Sequence, residues 1–172
     1  FKKLPGYDTL RVVLASKVVL VEGASEEILF SRFYKDKYGA EPIEHGIDVI
    51  CIRGLSFKRF LELARLVNRK AAFLRDLDEY SEAELDAHYR DYVSDSVKLF
   101  MGSSHNGKTL EPQLCAVNQT DHLRTALKLT ANQSPEEWML KHKTESALRL
   151  AQHDQNTVAP NYFAEAIEFI HG

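Results

Sequence analysis

At 172 residues, 44% of them hydrophobic and 27% charged, the chain is long enough to bury a substantial core and has the composition of an ordinary globular protein. A net charge of −3 and a pI near 6.2 exclude nucleic-acid binding by bulk electrostatics, so any phosphate contact has to come from a local patch or from bound cations. No run approaches the ~20 apolar residues of a membrane span, no signal-peptide pattern opens the chain, and Cys51 and Cys115 lack partners at metal-ligand spacing, which excludes a membrane protein, a disulfide scaffold and a structural zinc site and fits a reducing cytoplasm.

The chain opens on Phe1, as expected of a piece of a longer protein. Val18 to Val21, flanked by Lys17 and Glu22, is a continuous apolar run and predicts a strand buried on both faces. From Ser25 to Phe33 the apolar residues fall at helical spacing, with Ser25 as N-cap and acids in the first turn. Gly39 and Pro42 mark a loop, and Asp48 to Gly54 predicts a second strand. Phe57, Phe60, Leu61, Ala64 and Val67 form the apolar stripe of a second helix, and Ala71 to Leu74 a third strand. The strand–helix–strand rhythm implies parallel pairing through right-handed crossovers. Ser81 to Asp95 reads as a polar helix, Val97 to Met101 as a fourth strand and Gly102 to Gly107 as a loop. Beyond Pro112 the strand signal ends. Helices are expected over Leu123–Leu127, over Ser134–Gln152 behind an N-cap, a proline and a capping-box glutamate, and over Tyr162–Ile170. The expected architecture is α/β, with a sheet domain over 1–114 and a helical subdomain over 115–172.

Two strands end in carboxylates: Glu22-Gly23-Ala24-Ser25-Glu26 follows the first and Asp76-Leu77-Asp78 the third. Open α/β sheets build their sites at such strand ends. A lone Gly-x-x-Glu usually serves only the helix dipole, and a lone Asp-x-Asp commonly caps a helix or pairs with an arginine such as Arg75. Four carboxylates on one crevice repel unless divalent cations neutralise them, and an all-oxygen set suits Mg2+ or Mn2+ rather than zinc. Asp76 and Asp78, two apart on an extended backbone, would share a face, and Gly23 would let the chain turn tightly. Glu22, Asp76 and Asp78 are expected to hold one cation, and Glu26 with a shared aspartate the second.

Lys143 lies on a stripe with Met139, Leu140, Ser146, Ala147 and Leu150, which either turns it toward the protein or leaves it to snorkel. Arg53, Lys58, Arg59, Lys141 and Arg149 are candidates for contact with a DNA backbone, although most such residues are only solvated. The seven histidines show no metal spacing, and His105 lies in a loop.

Val19 to Glu26 and Asp76-Leu77-Asp78 together resemble the two motifs of the Toprim domain, a Rossmann-like, mainly parallel sheet flanked by helices. Topoisomerases and primases carry a further acid where this chain has Tyr80. The segments Gly54 to Phe60, Thr109 to Pro112 and Lys143 to Leu148 resemble the OLD (overcoming lysogenization defect) branch, and the resemblance runs from about Leu10 to Ile170. It implies a DNA endonuclease using two divalent cations, with Glu111 completing the second ligand set and Lys143 holding the scissile phosphate. It also implies an N-terminal ABC-type ATPase, for which no Walker motif is present in this chain, and a role in phage defence. The alternatives are a non-catalytic RecR-like DNA-binding or assembly module and a Toprim RNA-processing nuclease.

Overall fold

A computed structural model describes residues 6–52 and 57–172. The elements are α1 (Gly6–Leu14), β1 (Lys17–Val21), α2 (Ala24–Tyr38), β2 (Ile47–Cys51), α3 (Phe57–Leu66), β3 (Lys70–Arg75), α4 (Glu82–Tyr89), β4 (Val97–Met101), α5 (Leu110–Val117), α6 (Thr120–Leu127), α7 (Pro135–Lys141), α8 (Lys143–Gln152) and α9 (Asn161–His171). No helix among the described residues is long and apolar enough to cross a membrane.

All strand pairs are parallel, in the order β2-β1-β3-β4. The continuous apolar runs follow from burial on both faces. Along β1, Val19 and Val21 face one core with Val49, Ala72, Leu74 and Phe100 of the neighbouring strands, covered by α2, α6, α8 and α9. Val18 and Leu20 face the other core with Ile50, Ala71, Phe73 and Val97, covered by α1, α3 and α4. The period-2 alternation thus assigns side chains to two helical layers rather than to core and solvent. From β1 the chain crosses to β2 on one side and then to β3 on the other, so the connections part between β1 and β3. Open α/β sheets have their crevice at the carboxyl ends of the strands at such a switch point. Glu22 leaves β1 there and Asp76 leaves β3.

Several expectations change in detail. The N-cap of α2 is Gly23, not Ser25, which is buried in the first turn. The second strand stops at Cys51, so Arg53 and Gly54 to Ser56 of the expected motif lie outside the described residues. The polar helix from Ser81 ends at Tyr89 and continues only as a 3-10 turn. The segment from Ser134 is two helices, because His142 (φ −130°, ψ 48°) leaves helical space and ends α7. His142 stacks on Trp138 with ring centroids 4.7 Å apart, and its carbonyl accepts the first α8 bond from Ser146 N at 2.8 Å. Helix α5 spans residues 114 and 115, and α9 packs directly over the sheet against β3, β4 and β1.

Candidate metal centre

The carboxyl edge of the sheet collects side chains from four elements. Glu22 ends β1, Glu26 sits in the first turn of α2, Asp76 and Asp78 follow β3, and Glu111 occupies the first turn of α5. Burial, reinforced by Glu26, Glu22 and Glu111, pushes Asp76 up to about 8, with Lys143 opposing. Burial also raises Glu22, against Arg75 and with Asp78 and Glu26, and raises Glu26. Two carboxylates about 6 Å apart repel by about 3 kcal/mol at an effective dielectric near 20. Such a set cannot be fully ionised at neutral pH without cations among it.

Two cations of the chain stand at its margin. Arg75 Nε lies 2.5 Å from Glu22 Oε1. Both atoms are buried, and neither meets hydrogen-bond geometry. The guanidinium is placed by packing, 4.9 Å over the Phe57 ring, and its contact with Glu22 is an ion pair rather than a directed bond. Lys143 Nζ lies 3.4 Å from Glu111 Oε1. Partial burial presses the Lys143 ammonium down, but Glu111, Asp76 and Glu26 outweigh it and the net shift is upward. Lys143 therefore does face the carboxylates, although its side chain is 49% exposed and stands at the first position of α8, not inside a long helix. A cation is disfavoured at a helix N-terminus. The Glu111 carboxylate offsets this; it is buried and also accepts a 2.8 Å bond from Thr109 Oγ1.

The two expected reasons for the acidic motifs need correction. Asp76 and Asp78 do not share an extended backbone: β3 ends at Arg75, and Asp78 takes the left-handed conformation (φ +47°) in an exposed turn closed by Tyr80 N to Leu77 O at 2.8 Å. Asp78 nevertheless still acts on Glu22. Gly23 has an ordinary extended backbone (φ −132°), so no tight turn requires glycine there. A Cβ at Gly23 would stand 2.8 Å from Glu26 Oε2, so a side chain there would displace the end of the Glu26 carboxylate.

The donor set is all carboxylate oxygen, and burial among like charges favours the protonated form of Asp76, a condition that a hard divalent cation would relieve. In donor chemistry the residues fit Mg2+ or Mn2+. Among the described residues no three His, Cys, Asp or Glu side chains are gathered closely enough to hold an ion as they stand. The carboxylates are spread, as like charges are, and Arg75 occupies Glu22.

Four of the expected DNA contacts, Lys58, Arg59, Lys141 and Arg149, lie within the described residues. Lys58 lies over the Tyr92 and Tyr89 rings at 5.4 and 5.9 Å, on the α3 side. Arg149 is held within the fold by Leu127 O, Glu145 Oε1 and the Trp138 ring. Arg59 is half-buried on α3 and Lys141 exposed at the end of α7, while His105 is exposed in a 3-10 turn. The residue that sequence reasoning missed is Tyr162. Its hydroxyl is buried with no hydrogen-bond partner, and the four buried-edge carboxylates act on it. Its only sequence signal is Pro160, which places it in the first turn of the last helix.

Residues 13–78 match the family model of the overcoming lysogenization defect protein-like TOPRIM domain. The fold resembles the C-terminal region of the Burkholderia pseudomallei OLD protein, with a TM-score of 0.70 and 21% identity over 91% of this chain and 96% of that one. It also resembles the C-terminal region of the Xanthomonas campestris pv. campestris OLD protein, phased with platinum (TM-score 0.64, 19% identity, 94% of each chain). No curated protein matches the chain.

Proposed function

We propose that the chain, whose residues 13–78 match the OLD-like TOPRIM domain, is a divalent-metal-dependent DNA endonuclease. The observation that carries the reading is the meeting of Glu22, Glu26, Asp76 and Glu111 with Lys143 at the carboxyl edge of the parallel sheet. Glu22, Asp76 and Asp78, with Glu26 and Glu111, would hold two ions, Mg2+ or Mn2+. Ions bound there supply activation of a water for in-line attack and stabilisation of the departing 3′ oxygen.

The chain's own groups do the rest. Asp76 stays protonated in the bare protein up to about pH 8 and releases that proton to solvent as the centre is loaded. The Lys143 ammonium is half-exposed and offers three donors. It exchanges part of its pairing with Glu111 for a non-bridging phosphate oxygen and offsets the charge that develops during attack. The resemblance adds an N-terminal ABC-type ATPase as working partner, and a role in phage defence.

A second reading has one observation in its favour. The 2.5 Å Arg75–Glu22 pair occupies a carboxylate that the nuclease needs, as would suit a RecR-like assembly module. Supercoiled plasmid incubated with the chain in EDTA, Mg2+, Mn2+ and Ca2+ separates the two. The nuclease reading expects nicking or linearisation with Mg2+ or Mn2+ and none in EDTA, with the rate reduced about 10²–10³-fold by Lys143→Ala, the usual cost of a lost transition-state donor. Folded protein that leaves plasmid intact under every metal would favour the module, and cleavage unaffected by Lys143→Ala would remove the lysine from the chemistry.

A further inference from the structure

Tyr162 opens α9, a helix that runs against the strand direction. At its far end Phe169 lies under Lys70 and Lys98, 4.7 and 4.9 Å from their ammonium nitrogens, and Lys17 Nζ donates to His171 O at 2.6 Å. Those lysines belong to the starts of β3, β4 and β1. The first turn of α9 therefore lies beneath the opposite edge, where the carboxylates emerge. The Tyr162 ring packs edge-on to Phe163, with centroids 4.8 Å apart, and the residue is 5% exposed within the core beneath that edge.

A buried tyrosine normally gives its hydroxyl a partner, because an unmatched O–H inside a protein is costly. The Tyr162 hydroxyl has none, although Asp76, Glu26, Glu111 and Glu22 all act on it electrostatically. Packing explains the ring and leaves the oxygen unexplained; a phenylalanine would fill the same space. The phenol can donate to a carboxylate without adding charge, as the Thr109 hydroxyl already does to Glu111. Arg75 and Lys143 neutralise the carboxylates they touch and so compete with a cation. A neutral O–H aligns one carboxylate oxygen and leaves the negative charge available.

We propose that Tyr162 is a positioning residue of the divalent-cation centre, its hydroxyl donating to the carboxylate shell when the acids draw together around an ion. The inference rests on reading those acids as a metal site. Burial, followed by the four acids, holds the phenol well above its usual titration range, so the hydroxyl remains a donor at any working pH.

The test is Tyr162→Phe, which keeps the ring and removes only the oxygen. Thermal melts in EDTA and calorimetric titration with Mn2+ are run on the whole chain and on the variant. The variant is expected to melt in EDTA at or above the wild-type temperature, since an unmatched polar atom has gone. Its Mn2+ affinity is expected to fall about 10–100-fold, the usual consequence of losing an outer-shell partner. Unchanged Mn2+ affinity, whatever the melting temperature, would overturn the inference while leaving the metal reading intact. A wild-type chain that takes up no Mn2+ would overturn both.

Discussion

Asp76 shows most plainly what the acidic edge demands of single residues. Its carboxyl titrates near 8 in the fold, against about 3.9 in an unfolded chain. The folded state thus binds a proton more tightly, and the stability this contributes is fully present below about pH 4 and is lost as pH rises through about 8. In EDTA the melting temperature should therefore fall between pH 5 and 8. Asp76→Asn, which cannot ionise, should flatten that slope and melt higher at pH 8. Calorimetry in matched buffers checks this, and a slope identical in the variant would mean that Asp76 is not the group responsible. The sequence made the acids visible because carboxylates ending two apolar runs stand out. It hid Arg75's hold on Glu22, which depends on the guanidinium resting over Phe57, a residue eighteen positions away in another element. Tyr162 was hidden for a related reason: nothing local distinguishes a core tyrosine with a matched hydroxyl from one without.

Among the elements, strands were easier to read than helix breaks and turns. Runs such as Val18 to Val21 and Ala71 to Leu74 are apolar because both faces are covered, and this shows in composition alone. The break at His142 leaves no such trace, since Leu140 to Ala147 contains neither proline nor glycine; what ends α7 is a backbone turn with His142 stacked on Trp138. The same holds for Asp78, whose left-handed conformation cannot be read from an Asp-x-Asp spacing. The loop that delivers Glu111 is more constrained than its glycines and serines suggested. Gly107 has φ +107°, its carbonyl accepts from Gln113 Nε2 at 2.5 Å, and a Cβ there would lie 2.5 Å from the Pro112 ring. A proline ring cannot swing aside, so Gly107→Ala should cost about 1–3 kcal/mol. That corresponds to a fall of about 2–12 °C in melting temperature for a domain of this size. An unshifted melt would show that the loop relaxes freely and does not fix Glu111.

The whole molecule separates its charge along the strand direction. Acids from β1, α2, β3 and α5 meet at the carboxyl edge, while Lys17, Lys70 and Lys98 gather round Phe169 and the end of α9 at the amino edge. A net charge of −3 averages these two poles and conceals both, so composition alone understated the local fields. Parallel topology explains why the acids coincide: the switch point between β1 and β3 opens a crevice where their ends diverge, and the two acidic motifs occupy those ends. On the proposed function this crevice is a divalent-cation site. Crystals soaked in Mn2+ and measured at the manganese absorption edge test it directly. Anomalous density is expected for two ions roughly 4 Å apart, bounded by Glu22, Glu26, Asp76, Asp78 and Glu111, with Arg75 displaced from Glu22. No anomalous density at that edge, with the Arg75–Glu22 pair intact, would contradict it.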